Sequence, residues 1–299
     1  MSEPDASRCG LVAIIGRPNV GKSTLVNALF GEKISIVTDK PHTTRQGVRG
    51  VLNGGADQAV FIDTPGHARR TKRALHRLMA RAVRQAVEDC DLALLVVEAN
   101  GLTRDDYTLI EMLEGKLERT FLLLNKVDAL SGKSAMLPTI EKASRFPFAE
   151  FVPLSAKTGE NLPRLTEQIF ARLPEGPALF PQDMSTDRDL KFRIAEEIRE
   201  KLMTLLHKEV PYGLTVEVEH VGPNEEGQTL VHALIWLERD SQKPIVIGKN
   251  GSVLKAAGSA ARVALTQLLG NRVHLELWVK VREHWSDSER ELARLGYDI

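Results

Sequence analysis

The sequence of 299 residues predicts an α/β domain with a mostly parallel sheet, followed by a smaller α+β domain. In the first half, short apolar runs each end in a polar signature, as parallel strands do at the ligand-binding edge of a sheet. In the second half, alternating apolar runs typical of strands accompany stretches with helical apolar spacing. A stretch with three prolines and no apolar period separates the halves. We therefore predict domains at 1–172 and 191–299, joined by a linker at 173–190.

The composition is that of an ordinary globular protein, with 42% hydrophobic and 27% charged residues. Because 40 basic side chains balance 40 acidic ones, no global charge attracts nucleic acid, and any such partner must meet a local patch. The longest uninterrupted apolar run, at 92–97, is too short to span a bilayer. Cys9 and Cys90 are too few for a disulfide framework or a zinc site. With no secretory signal pattern at the N-terminus, we expect a cytoplasmic protein.

A phosphate-binding loop follows the first apolar run. LVAII leads into GRPNVGKS at 16–23, and TLVNALF continues with helical spacing. Gly16 and Gly21 let successive backbone amides point inward, Lys22 reaches the outer phosphates, and Ser23 can bind magnesium. This strand, loop and helix predict a nucleotide site. The residues expected to line it are Gly16, Arg17, Pro18, Asn19, Val20, Gly21, Lys22, Ser23 and Thr24.

Three later apolar runs also end in polar signatures. They read AVFIDTPG at 59–66, TFLLLNKVD at 120–128 and FVPLSAK at 151–157. Each is the pattern of a parallel strand that delivers a loop to the carboxyl edge of the sheet. Asp63 then lies where a carboxylate can hold magnesium through water, and the Gly66 amide is placed for the γ-phosphate.

The N-K-x-D signature identifies the base. A carboxylate such as Asp128 can accept hydrogen bonds from N1–H and the exocyclic amine of guanine, whereas adenine would leave it unpaired. Alone, N-K-x-D also fits a turn at a strand end, but its order and spacing after the phosphate loop favour a guanine pocket. The residues expected around the base are Asn125, Lys126, Asp128, Ser155, Ala156 and Lys157.

GRPNVGKS, TTR at 43–45, DTPG, NKVD and SAK together resemble the five signature elements of a translation-factor-related GTPase, of the Era type in particular. The resemblance implies that Thr44 closes over the γ-phosphate and magnesium, and that Asn19 helps to bind potassium. Without this resemblance, the pair Thr43 and Thr44 would be interpreted as part of a solvated loop. It further implies slow hydrolysis of GTP to GDP and phosphate with Mg²⁺. The catalytic candidates are Lys22, Thr44, Gly66 and His67, and the magnesium candidates are Ser23, Thr44 and Asp63.

Two features leave alternatives open. His67 stands where small GTPases commonly have glutamine and relatives of Era usually have a hydrophobic residue. It either positions the attacking water, since histidine titrates near neutral pH, or belongs to a mobile loop. The following segment has helical spacing and seven basic residues between Arg69 and Arg84. It is either a solvated helix face or a face for RNA or another partner.

The second half reads as a helix, two strands, a strand end with a Gly-x-x-Gly loop, a helix and a third strand, in the order α-β-β-α-β. GKNG at 248–251 ahead of a helix resembles a type II KH domain, in which RNA backbone passes closely over this loop. Residues 243–282 hold seven basic side chains against Glu276 alone, so the positive patch is local. The RNA-binding candidates are Lys243, Gly248, Lys249, Asn250, Gly251, Lys255 and Lys280.

The segment HLELWVKVREHWSDSERELARLGYD closely resembles the C-terminus of Era proteins, so the resemblance covers essentially the whole chain. It implies binding to the 3′ end of small-subunit ribosomal RNA and a checkpoint role in maturation of that subunit. It also implies peripheral association with the inner membrane face, and we expect a monomer. Trp278 could stack on bases, but its place in an alternating strand predicts a core position.

Two other classes of function remain at this point. A phosphate-loop kinase or ATPase would share the phosphate loop, but the N-K-x-D signature, which indicates guanine, argues against this class. An RNA-binding module with a merely structural nucleotide would share both domains, since slow hydrolysis and none leave the same sequence pattern.

Overall fold

The computed structural model describes residues 7–66 and 73–297. These residues form two compact units. The first unit comprises 7–35, 44–66 and 76–187, and the second comprises 36–43, 73–75 and 188–297.

The first unit contains a six-stranded sheet. Its strands are β1 (Cys9–Ile15), β2 (Val48–Gly54), β3 (Asp57–Asp63), β4 (Leu92–Glu98), β5 (Thr120–Asn125) and β6 (Glu150–Pro153). They lie in the order β2-β3-β1-β4-β5-β6. Strand β2 runs antiparallel to β3, and every other pairing is parallel. The predicted mostly parallel α/β domain is therefore confirmed, with an antiparallel edge strand that the sequence analysis did not identify.

Helices cover both faces of this sheet, which is why its central strands are continuously apolar. The helices are α1 (Lys22–Phe30), α2 (Ala74–Asp89), α3 (Arg104–Met112), α4 (Leu137–Ala143) and α5 (Leu162–Arg172). Alternate residues of β1 point to opposite cores. Val12 and Ile14 pack with residues of α1 and α5, whereas Ala13 and Ile15 pack with residues of α2, α3 and α4. The carboxyl ends of β1, β3, β4 and β5 consequently share one sheet edge.

The basic segment is a helix over its described part, α2. Its larger apolar residues are buried, while Arg77, Arg81 and Arg84 are exposed. This is the amphipathic pattern of a helix with a solvated charged face. Residues 67–72, which include His67 and three of the seven basic residues, lie outside the described part of the chain.

Much of the predicted linker, up to residue 187, belongs to the first unit. Pro174 accepts a hydrogen bond from the Cys9 amide, and the Gln58 side chain accepts bonds from the amides of Leu179 and Phe180 at 2.8 and 2.9 Å. The Val51 amide donates to Ser185. The stretch is thus held by backbone contacts despite its lack of apolar period. The domain boundaries at 172 and 191 stay a prediction.

The second unit contains a three-stranded sheet of β7 (Leu214–Pro223), β8 (Thr229–Leu237) and β9 (Val273–Val281), in that order. Strand β7 is antiparallel to β8, and β9 is parallel to it. The helices are α6 (Leu190–Leu205), α7 (Lys243–Ile247), α8 (Ser252–Leu269) and α9 (Glu289–Arg294). The predicted strand end before Gly248 is wrong, because it is helix α7. Five residues are too few to show a helical period, although Pro244 suits a first helical turn.

The core of the second unit lies on one face of its sheet, against α6 and α8. Trp278 was predicted to be in the core, but it is 40% exposed, so that prediction is wrong. The alternating set of β9 that contains Leu277 and Val279 is wholly apolar and takes the core face, whereas Trp278 belongs to the set with His274, Glu276 and Lys280. Trp278 therefore points to the opposite face. Trp285, in contrast, is fully buried.

Within the described ranges, no helix combines the length and apolarity that crossing a bilayer would require. Cys9 and Cys90 are both buried free thiols.

Candidate nucleotide and RNA sites

The phosphate loop surrounds a buried lysine at the start of α1. The Lys22 ammonium is 6% exposed and donates to the carbonyl oxygens of Gly16 and Arg17, each at 3.0 Å. Burial lowers the pKa of Lys22 to about 8, against an opposing effect of Asp63. Gly21 has φ 100°, and any side chain there would collide with the Asn125 amide. A buried ammonium beside a helix N-terminus is well placed to receive phosphate oxygens.

Three oxygen-bearing side chains meet next to this lysine. The Ser23 hydroxyl lies 2.8 Å from Asp63 Oδ2 and 3.0 Å from Thr44 Oγ1. Thr44 Oγ1 lies 3.5 Å from the same carboxylate oxygen. Among the described residues, the buried Asp63 Oδ1 has no hydrogen-bond partner. Burial raises the pKa of Asp63, while Lys22 and the hydroxyl groups oppose the rise. Converging oxygen ligands with an unsatisfied carboxylate oxygen fit a magnesium ion.

The base-recognition signatures lie at the adjoining strand ends. Asp128 is exposed, and its Oδ1 accepts a hydrogen bond of 2.6 Å from the Ser155 hydroxyl. Asn125 donates to the Val20 carbonyl at 2.7 Å and accepts from the Ala156 amide at 2.9 Å. Lys126 donates to the Asn19 carbonyl at 2.8 Å. The structure thus brings the N-K-x-D and S-A-K segments against the phosphate loop.

The remaining predicted nucleotide residues are distributed around this edge. Val20 and Gly66 are buried, Pro18 and Thr24 are half-buried, and Asn19 and Lys157 are exposed. His67 lies outside the described residues, so its role stays a prediction. Arg17 departs from a simple phosphate contact, because its guanidinium pairs with Glu98 at 2.8 Å.

The sequence analysis missed Glu98. This carboxylate is the last residue of β4 and also pairs with Lys126. The signal was available, because LALLVVE at 92–98 is another apolar run that ends in a polar residue. The same reasoning that selected Asp63 and Asn125 would have selected it.

The Gly-x-x-Gly loop joins α7 to α8 in the second unit. Gly248 has φ 77°, and a Cβ there would approach Val253 Cγ2 to 2.6 Å. Asn250 and Gly251 also have positive φ, at 53° and 76°. The side chains of Lys249 and Asn250 are exposed at the tip. The loop therefore projects a short, strained turn ahead of an 18-residue helix.

Two predicted RNA-binding lysines accompany this loop, and one does not. Lys243 begins α7 and Lys255 lies in the first turn of α8, and both are exposed. Lys280 instead has its ammonium over the Trp236 ring, 5.8 Å from the centroid. Trp236 and Lys280 are paired between β8 and β9 on the sheet face that α8 does not cover. Lys280 therefore lies on the sheet face opposite α8, the helix that follows the loop.

Comparison with known protein families supports both halves. Residues 11–126 match the family model described as 50S ribosome-binding GTPase. Residues 209–286 match the KH domain model.

Curated relatives are similar along the whole chain. The chain is 45% identical to GTPase Era of Yersinia enterocolitica over 298 residues, covering 99% of this chain and 98% of that protein. It is 44% identical to GTPase Era of Yersinia pestis with the same coverage.

Two solved structures have the same fold with a TM-score of 0.94 and 37% identity, each covering 98% of this chain and 100% of theirs. One is a variant of Aquifex aeolicus Era bound to GDP and AlF₄⁻. The other is Era in complex with MgGDPNP and nucleotides 1506–1542 of 16S ribosomal RNA.

Proposed function

The chain belongs to the Era family of GTPases, and we propose that it is a GTP-dependent switch that binds small-subunit ribosomal RNA and acts in maturation of the small ribosomal subunit. As a GTPase, it converts GTP to GDP and phosphate. The observation that carries the proposal is the meeting of Lys22, the Ser23–Thr44–Asp63 oxygens and Asp128 at one sheet edge of a chain that also has a KH domain.

We propose the following division of roles at this edge. The phosphate-loop amides and Lys22 hold the β- and γ-phosphates, and Asp128, oriented by Ser155, accepts hydrogen bonds from guanine. Asn125 and Ala156 keep the base loops in place, with Lys126 and Lys157 beside them. Thr44 and the Gly66 amide complete the γ-phosphate site.

Ser23, Thr44 and Asp63 would hold the magnesium ion, Asp63 through water. When bound there, the ion would neutralise charge that develops on the phosphate oxygens during transfer. Thr44 would also contact the γ-phosphate, which GTP has and GDP lacks. We assign no arginine finger in this chain, and intrinsic hydrolysis should take minutes or longer, as in other unassisted GTPases. His67 remains a sequence-based candidate for positioning the attacking water.

We further propose potassium as a second cation, bound with the help of Asn19. Support comes from the family resemblance and from the exposed position of Asn19 in the phosphate loop, at φ 64°. Replacing K⁺ by Na⁺ at constant ionic strength should slow hydrolysis, and an unchanged rate would refute this cation site.

The KH loop is the proposed RNA site. Its support is the exposed turn from Gly248 to Gly251, with Lys243, Lys249 and Lys255 around it, and a related Era solved with 16S ribosomal RNA. The partner is the 3′ end of that RNA within the small subunit. A cytoplasmic monomer with peripheral attachment to the inner membrane face is also proposed, which light scattering and vesicle flotation would test.

The decisive experiment uses the full chain in two titrations. A fluorescent GTP analogue should be displaced by GTP and GDP but not by ATP, with slow release of phosphate from GTP. Labelled RNA carrying the 3′ end of 16S ribosomal RNA should bind more tightly than a scrambled strand. Displacement by ATP would favour the kinase or ATPase class. RNA binding without any phosphate release would favour an RNA-binding module with a structural nucleotide.

A further inference from the structure

Glu98 lies between the two strands that lead to the nucleotide loops. Strand β4 is hydrogen-bonded to β1 on one side and to β5 on the other. Strand β1 ends at Ile15, directly before the phosphate loop, and Glu98 is paired in register with Asn125, the first residue of N-K-x-D. A side chain at the end of β4 can therefore reach loops from both neighbours.

The Glu98 carboxylate is shared by one cation from each loop. Its Oε2 accepts a hydrogen bond of 2.8 Å from Arg17 Nη2, and its Oε1 accepts one from Lys126 Nζ. Burial alone raises the pKa of Glu98, but the bonds from Lys126 and Arg17 outweigh burial and hold the pKa below its ordinary value. The carboxylate is consequently charged at neutral pH, when it faces both cations.

Both cations make a second contact that fixes a loop. Lys126 also donates to the Asn19 carbonyl of the phosphate loop at 2.8 Å. Arg17 Nε lies 3.4 Å from Asp106 Oδ2, and Asp106 is fully buried within the capping box of α3 with Thr103. The ionic group formed by Arg17, Glu98, Asp106 and Lys126 thus connects the phosphate loop, the base loop and α3.

We propose that Glu98 is a positioning residue for guanine-nucleotide binding, which holds the phosphate loop and the base loop at the separation that one nucleotide requires. The base and the phosphates of GTP are bound by different loops, so affinity depends on how well those loops are kept in register. Glu98 acts through Arg17 and Lys126. Its removal lowers the affinity for GDP and GTP alike and leaves the chemical step unchanged, because neither Lys22 nor Thr44 contacts it.

The test uses Glu98→Gln in the full chain, with Glu111→Gln as the matched control. Glu111 is an exposed glutamate on α3 for which the structure shows no ion pair among the described residues. Dissociation of fluorescent GDP and of a fluorescent GTP analogue should both be faster by about tenfold or more in Glu98→Gln, as charge-assisted bonds to two loops are lost. The kcat at saturating GTP should stay within about twofold, so the loss appears in KM. The control should match the parent.

Two further variants separate positioning from general stability. Glu98→Asp keeps the charge with a shorter side chain and should recover part of the residence time. In a Lys126→Met background, Glu98→Gln should have a smaller effect than in the parent, because one of its two partners is already absent. If Glu98→Gln fails to fold by circular dichroism, Glu98→Asp in the parent and in Lys126→Met makes the same comparison.

The inference rests on the proposed nucleotide site, and the two can fail separately. Parent protein that binds no guanine nucleotide would overturn the site itself. Parent protein that binds GDP, with unchanged dissociation from a folded Glu98→Gln, would overturn only the role of Glu98. The role of Glu98 would also be overturned if kcat fell by as much as the dissociation rate rose. Equal effects of Glu98→Gln in the parent and in the Lys126→Met background would overturn it as well.

Discussion

The side-chain amide of Asn125 donates a hydrogen bond to the Val20 carbonyl oxygen over 2.7 Å. Its oxygen accepts from the Ala156 amide at 2.9 Å. One side chain, only 2% exposed, therefore joins the phosphate loop to both base-recognition segments. The proposed nucleotide site is a set of loops connected to one another at the sheet edge, and several measurements follow from this arrangement.

Asn125→Ala should weaken GDP and GTP binding together. The substitution leaves the Val20 carbonyl and the Ala156 amide without their partner, at a cost of about 1–3 kcal/mol for a buried polar group. We expect both dissociation constants to rise by about tenfold or more. Titration with fluorescent nucleotides measures the effect, and Asn271→Ala, at an exposed position in the second unit, is the control. Unchanged affinity in a folded variant would show that the hydrogen bonds of Asn125 do not contribute to nucleotide binding.

Asp128→Asn should move preference from GTP toward XTP. The carboxylate accepts from guanine, whereas an amide can donate to the oxygen at position 2 of xanthine. The hydrogen bond from Ser155 uses one lone pair of Asp128 Oδ1, so both carboxylate oxygens can still accept from guanine. Competition of GTP and XTP for a bound fluorescent analogue measures the preference, with Glu114→Gln as an exposed control. If the variant retained the affinity of the parent for GTP, the guanine pocket would have to be placed elsewhere.

Thr44→Ala should slow hydrolysis with little change in GDP affinity. The Thr44 hydroxyl is 3.0 Å from Ser23 Oγ and belongs to the proposed magnesium and γ-phosphate site, which GDP does not fill. We expect hydrolysis to fall by about tenfold or more. Single-turnover phosphate release and GDP titration provide the two readouts. Thr108→Ala, on the exposed side of α3, is the control. A parallel loss of GDP affinity would point to a folding defect instead.

Lys249→Asp combined with Asn250→Asp should abolish RNA binding and spare the GTPase. Two acidic side chains at the loop tip repel the RNA backbone, and residual binding should have a salt dependence lower by roughly one per lost phosphate contact. GTP affinity should stay within about twofold, because the exposed loop belongs to a different unit from the proposed nucleotide site. The variant Lys133→Asp with Ser134→Asp, equal in charge and exposed in the first unit, is the control. RNA binding that survives in a folded double variant would move the RNA site, with the exposed face of α2 as the next region to examine.

Cys9 and Cys90 should be unreactive in the native protein. Both are buried, and burial raises the pKa of Cys90 above its ordinary value, so the reactive thiolate is scarcer at pH 8 than for a free thiol. A thiol reagent at pH 8 should label neither residue within minutes, and both after denaturation. Rapid labelling of the native protein at Cys90, located by peptide mapping, would contradict the packing between α2 and the sheet.

The sequence by itself determined the α/β and KH architecture, and it predicted the main residues of the proposed nucleotide site. Gly16 to Ser23, Asp63, Asn125 and Asp128 could be read because each follows an apolar run. A strand that ends in a ligand-binding loop leaves that pattern within a few neighbouring residues. The same holds for the Gly-x-x-Gly loop, which stands directly before a helix.

Only the tertiary structure decided what separate segments do together. The sharing of Glu98 by Arg17 and Lys126 depends on β4 lying between β1 and β5, and strand order is not written in any local stretch. The exposure of Trp278, in contrast, could have been predicted from the sequence, because alternation places it with His274, Glu276 and Lys280 on the face opposite the wholly apolar set of β9. Helix α7 has five residues, which are too few to show a helical apolar period in the sequence. Periodicity and short motifs report contacts within a segment, whereas pairings between segments arise only when the chain packs.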